Sequence, residues 1–249
     1  MYSVQETIKF SPSYKMLLID SFRRMFNKAF ELARTGESQN IWKVMEHQPS
    51  ATMNLLEVNA NGTFWGFDHR IVKGIKDITT RVSSKLEDKD CDGVAFLLDD
   101  VNDDVKQDHL VFVELKSNFD ISKIEGAFHQ ITMSFIKMHA WLSLCKGYDI
   151  DQLKVHFITA CKYYKDKDQE DNVMLRISQA QELEEETFET KFLKPLLDER
   201  NIKVKLSSFD DIKELPFHDS ICNKEIAMYL QLTAEYSNSK TKVDLVLDF

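Results

Sequence analysis

Between residues 94 and 161 the chain places two short apolar runs, VAFLL at 94–98 and LVFVEL at 110–115, ahead of a long helical pattern and a third apolar run, LKVHFITAC at 153–161. Within 121–145, Ile124, Ala127, Phe128, Ile131, Phe135, Met138, Leu142 and Cys145 recur at i, i+3, i+4 and i+7, the spacing of an amphipathic helix. Short apolar runs bounded by polar residues read as buried strands. The polar stretch DDVNDDVKQD between the first two reads as the solvated loop of a hairpin. Strand, strand, helix, strand in this order predicts an α/β fold with mixed parallel and antiparallel pairing.

The flanking segments extend this pattern. Residues 13–35 carry Met16, Leu17, Phe22, Met25, Phe26, Phe30 and Ala33 at helical spacing behind a capping Ser11-Pro12-Ser13, which predicts a long first helix. A short helix over 41–46 follows, then two extended segments, TMNLLEV and GTFWGFD, around a turn at Asn59-Ala60-Asn61-Gly62, and a further helix over 71–86. After Cys161 the reading is a polar loop (YYKDKDQEDN), a Glu-rich helix over 180–201 that Pro195 interrupts, a strand (IKVKLSSF), a helix (EIAMYLQLTAEYS) and a terminal strand (KVDLVLDF). No internal repeat or low-complexity segment is present.

The 249 residues and 43% hydrophobic content suit one large domain, and 17 Phe against 7 Gly and 4 Pro favour long regular elements with few linkers. Cys91, Cys145, Cys161 and Cys222 have no zinc-ligand spacing, so buried free thiols in a reducing cytoplasm are expected. No signal-peptide core and no stretch near the ~18 apolar residues of a membrane span is seen, so a soluble, cytoplasmic protein without a membrane partner is expected. The net charge of −9 argues against a nucleic-acid binder that is basic over its whole surface. GxGxxG, GxxxxGK[ST] and HExxH motifs are absent, and the cluster Asp99, Asp100, Asp103, Asp104 and Asp108 lacks the glycine and glutamate of a calcium loop.

One place carries chemistry. On a strand through 109–117 (HLVFVELKS), Phe112, Glu114 and Lys116 share one face while Val111, Val113 and Leu115 share the other. If 94–98 and 110–115 pair as a hairpin, Asp92 at the start of the first strand meets Glu114 and Lys116 at the end of the second. Two such carboxylates suit a hard divalent cation. Each residue also has a plainer reading: a solvated strand end for Glu114 and Lys116, an Asp-Gly turn for Asp92, a polar helix face for Gln130.

These residues resemble the PD-(D/E)xK nuclease superfamily. Asp92 matches the first acid, Glu114 the second and Lys116 the lysine, while Cys91 stands where the motif has proline. The resemblance covers residues 13–161 and implies a restriction-endonuclease-like αβββαβ core with a mixed central sheet over 1–165. Residues 166–249 would be a C-terminal α/β extension packed on the same domain. It further implies metal-dependent endonuclease activity on nucleic acid, DNA favoured over RNA, with Mg²⁺ as cofactor and Mn²⁺ as substitute. Asp92, Glu114 and the Leu115 carbonyl would be the ligands, with Glu31 as a further acid on the first helix. Lys116 would orient the attacking water or stabilise the phosphorane, and Gln130 matches the glutamine that many members carry on the following helix. Lys162, Tyr163 and Lys165 are candidates for touching the substrate. Stand-alone proteins of this kind resemble bacterial restriction and anti-phage defence enzymes, and the acidic charge suggests delivery of substrate by a partner such as a helicase or by a homodimer. The alternative is a catalytically silent nuclease-fold subunit that serves binding or assembly.

Overall fold

The structure, a computed structural model, describes residues 18–46, 51–73, 90–102, 105–213, 215–233 and 241–247. The hairpin expected from the two apolar runs is formed by β3 (Gly93–Asn102) and β4 (Val105–Lys116), antiparallel with Gly93 opposite Val113 and Phe96 opposite Leu110. Both strands run on through the polar stretch expected to be a loop, and Asn102 still pairs with Val105. Helix α3 (Ile121–Leu142) starts at Asp120, whose carboxylate accepts the Lys123 amide, and returns the chain to β5 (Lys154–Cys161). β5 lies parallel to β4, with Glu114 opposite Thr159 and Lys116 opposite Cys161.

Around this unit the sheet is larger than the sequence suggests. β1 (Arg34–Met45) and β2 (Met53–Asp68) precede β3, while β6 (Asn201–Lys205), β7 (Glu225–Leu232) and β8 (Thr241–Val246) come from the C-terminal part. The order is β1-β2-β3-β4-β5-β7-β6, with β8 pairing to β2. β7 is parallel to β5 and antiparallel to β6, and β8 is parallel to β2, so the α/β sheet is mixed.

β2 explains how both faces of the central strands are covered. Its second half, 62–68, pairs with β3, whereas its first half, 53–59, pairs with β8. The first half carries Met53, Leu56 and Val58 into one apolar core with Val111, Val113, Leu115, Ile158 and Ala160. On the opposite face, Phe96, Leu110, Phe112, Val155 and Phe157 pack with Ile124, Phe128, Ile131 and Phe135 of α3. Strands buried on both faces read as nearly continuous apolar runs, as these do.

Several elements differ from expectation for identifiable reasons. The first helix is two, α1 (Leu18–Met25) and α2 (Asn27–Ala33), because Phe26 leaves helical geometry (φ −123°, ψ 39°) and stacks on Trp141 at 4.5 Å. The change of direction lets Phe30 meet Phe67 edge-on at 5.1 Å. Residues 41–46, expected as a helix, belong to β1 except Glu46: Trp42 and Val44 are buried and Ile41, Lys43 and Met45 exposed, the alternation of a strand. The expected turn at 59–62 is the middle of one continuous strand. Residues 225–232, expected as a helix, form β7, because a short apolar run fits either period and a slot between two strands decides it. Helix α4 (Lys167–Glu182) begins inside the expected polar loop, capped by Asp166, and Pro195 opens α5 (Lys194–Glu199) after a π-helical turn at Glu189–Leu193. Residues 70–73 are helical. The remainder of the helix expected over 71–86, and the Ser11-Pro12-Ser13 cap, lie outside the described residues. Among the described residues no helix is long and apolar enough to cross a membrane, and the four cysteines are free thiols.

Two glycines in this framework predict opposite outcomes. Gly62 has φ +143°, and a Cβ there would lie 2.2 Å from the Leu98 carbonyl oxygen on β3. Gly126, in α3, has open space around the same position. In urea denaturation Gly62→Ala is expected to lose roughly 2 kcal/mol or more through strain and overpacking, and Gly126→Ala to gain about 0.5–1 kcal/mol of helix stability.

Candidate active site

The register of β3 on β4 brings Asp92 and Glu114 together. Their carboxylates are bound crosswise: the Leu115 amide donates to Asp92 Oδ2 at 2.7 Å, and the Asp92 amide donates to Glu114 Oε2 at 3.2 Å. Asp92 is therefore not the turn residue its Asp-Gly sequence permits. Gly93 begins an extended strand, and a Cβ there would lie 3.0 Å from the Trp42 ring and the Val44 side chain of β1, so a larger residue requires β1 to give way.

Lys116, two residues along the same face from Glu114, places its ammonium 2.5 Å from Glu114 Oε1 and 2.8 Å from the side-chain oxygen of Gln130. Gln130 in turn donates to the carbonyl of Asp90 at 3.3 Å. Asp92, Glu114, Lys116 and Gln130, all selected from sequence, thus converge, with the Leu115 backbone between them. Glu31 does not join them: it is exposed on α2, where its ion partner is Arg23 at 3.7 Å. Lys162, Tyr163 and Lys165 line a separate cleft just beyond the end of β4, with Lys162 following Cys161 at the end of β5.

Sequence reasoning missed the support behind the site. Ser134 and Lys137 follow Gln130 on α3 at i+4 and i+7, so the three form a polar line on a helix face that is otherwise apolar. Ser134 Oγ accepts the Cys91 amide at 2.9 Å, and the fully buried Lys137 pairs with Asp90 at 2.7 Å. These bonds hold residues 90–92 against the helix and so aim Asp92. A lysine at i+7 from a glutamine in an apolar stripe was the available signal. Thr159, opposite Glu114 on β5 and on the same face, has a buried hydroxyl with no hydrogen-bond partner among the described residues.

Crowding two acids in a dry place disfavours their ionised forms. Burial pushes Asp92 up to about 6, and the Glu46 charge at the end of β1 adds to this against the pull of the Leu115 amide and Lys116. Burial, then the Asp92 charge, pushes Glu114 up to about 8 despite the Lys116 ammonium. Burial is thus the main cause in both, and the nearby lysine offsets it only in part.

A divalent cation fits this donor set. Among the described residues Asp92 Oδ1 has no hydrogen bond and the Thr159 hydroxyl is orphaned beside Glu114, while burial, and for Glu114 the Asp92 charge, disfavours the ionised acids in the absence of a cation. Among the described residues no group of three or more His, Cys, Asp or Glu side chains is placed to hold a metal ion. Two carboxylates with waters and a phosphate completing the shell is the mode that Mg²⁺ favours. Comparison with known proteins finds no matching family model, no similar curated protein and no similar solved structure.

Two expected outcomes follow from this geometry. Removing the Lys137 ammonium strands Asp90, so Lys137→Met is expected to cost roughly 3–5 kcal/mol, and Asp90→Asn in the same chain to recover part of it in a double-mutant denaturation cycle. The two raised carboxylates bind protons in the folded state that the unfolded chain, with carboxylate pKa values of about 4, has already released. Stability of the metal-free protein should therefore fall as pH rises from about 5 to about 8, and Glu114→Gln should flatten that slope in melting curves.

Proposed function

We propose that the chain is a metal-dependent phosphodiester hydrolase of the restriction-endonuclease-like, PD-(D/E)xK type. The observation that carries this reading is the convergence of Asp92, Glu114, Lys116 and Gln130 at the joined ends of β3 and β4. A scaffold gains nothing from two buried acids whose ionisation it must suppress, whereas a metal site uses them.

Asp92, Glu114 and the Leu115 carbonyl would hold Mg²⁺ or Mn²⁺, which supplies a polarised phosphate and a water acidic enough to attack at neutral pH. The chain's own contribution is positional. The crossed amide bonds fix both carboxylates, and the Ser134 and Lys137 contacts fix the strand entry behind them. Lys116 Nζ, steered by Gln130, stands beside Glu114, where it can orient a water or meet charge developing on phosphate oxygens. Nucleic acid supplies the phosphodiester, and DNA is the substrate favoured. A role in bacterial restriction or defence, with a helicase or a second copy delivering substrate, accords with an acidic chain whose basic residues include a cluster next to the site.

One observation favours the silent binding subunit as a second reading: Lys116 closes on Glu114 and Gln130, which satisfies the site's own groups. Incubation with plasmid and with RNA, each with Mn²⁺ or Mg²⁺ and with EDTA, separates the two. EDTA-sensitive cleavage is expected, falling by about 10²-fold or more in Glu114→Ala and in Lys116→Ala while circular dichroism shows the fold retained. Undiminished cleavage in either variant sinks the assignment, and tight binding without cleavage in any metal establishes the second reading.

A further inference from the structure

β4 and β5 run parallel, and ligands of α/β sheets collect at the carboxyl ends of parallel strands. At these ends lies a cleft of about 400 Å³, bordered by Thr52, Asn118, Lys123, Lys162, Tyr163 and Lys165. It begins where the strand of the candidate site stops. The Lys162 amide donates to the Lys116 carbonyl at 3.4 Å, and Ser117 is fixed by two bonds to Thr52, each 3.0 Å.

Lys162 is the unusual member. It is only 8% exposed, it borders the cleft, and its ammonium has no hydrogen-bond or ion partner among the described residues. A lysine whose stem is this enclosed, at the edge of a cleft and without a counter-charge, is placed to meet an anion there. The rim adds positive charge. Among the described residues that line the cleft the one acid is Asp120, whose carboxylate is already occupied by the Ser122 hydroxyl and the Lys123 amide. Lys165 has only a 4.0 Å contact to the exposed Asp166. In a chain of net charge −9 this is a local excess of cation.

We propose that the cleft binds a phosphate monoester, with Lys162 as the inner contact, Lys123 and Lys165 at the mouth, and the half-buried ring of Tyr163 beside the attached nucleoside. The position of Lys162 below the rim selects this ligand. A diester continues as chain on both sides and runs along an open groove, whereas a monoester ends in its phosphate and can enter. The monoester is the terminal phosphate of a nucleic-acid strand or a free nucleotide, which share this chemistry. In assigning a nucleotide phosphate, and not another anion, the proposal rests on the nuclease reading, because the cleft adjoins that site.

The test is equilibrium binding in EDTA, which removes cleavage from the measurement. Single-stranded DNA carrying a 5′ or 3′ phosphate is compared with the same strand ending in hydroxyls, and with AMP as competitor. Wild type is expected to prefer a phosphorylated end by about tenfold, equivalent to about 1.4 kcal/mol. Lys162→Met should erase the preference for a phosphorylated end. The rim variant Lys123→Ala/Lys165→Ala should weaken the preference, and it decides the matter if Lys162→Met does not fold. AMP competing as well as the phosphorylated strand identifies the nucleotide as ligand; a preference that AMP does not displace identifies the strand end. Equal binding of all ends with no competition by AMP overturns the proposal, as does a preference that survives in Lys162→Met or, if that variant does not fold, in the rim variant. Preference without metal-dependent cleavage refutes the hydrolase and leaves the cleft, and cleavage without preference does the reverse.

Discussion

Everything at the candidate site hangs on the crossed pair of amide-to-carboxylate bonds between Asp92 and residues 114–115. Each acid is held by the backbone of the strand that carries the other, so the register of β3 on β4 and the geometry of the acids are one constraint. A slip of one residue would turn Glu114 and Lys116 to the opposite face, into the apolar core with Val58 and Ile158. The hydrophobic pattern that makes the hairpin fold correctly therefore also sets the chemistry.

Helix α3 shows the same double use. One side supplies Ile124, Phe128, Ile131 and Phe135 to the core, and a polar line of Gln130, Ser134 and Lys137 runs beside them. Lys137 is wholly buried, and Asp90 meets its charge. Neighbouring polar side chains on a rigid helix are more accurately placed than on a loop, and each here is tied to residues 90–92 or to Lys116.

The central unit was legible because its signals are strong and local. β3, β4, α3 and β5 each combine a clear apolar pattern with polar boundaries, and alternation along β4 was enough to group Glu114 with Lys116. The rest depended on information that no short window holds. Residues 225–232 fit helix or strand alone, and only the place between β5 and β6 makes them β7. That β2 has two partners along its length depends on the arrival of β8 from far along the chain. One long helix would carry Glu31 as a site acid, but the helix breaks at Phe26 and Glu31 lies exposed with Arg23. The approach of Glu46 to Asp92 depends on β1 crossing Gly93, a tertiary contact.

The two halves of β2 also separate the molecule by sequence distance. Asp92 and Glu114 meet through a hairpin whose residues are close in the chain, but the far-side core closes only when Met53 pairs with Thr241. Contacts of the first kind form early and cheaply, whereas those of the second must first overcome the entropy of a very long loop. The acidic pair and the helix that covers it thus lie within residues 90–142, whereas the opposite face of the same strands is closed from far along the chain, so the chemistry of the site and the closure of the far-side core are set by separate stretches of sequence.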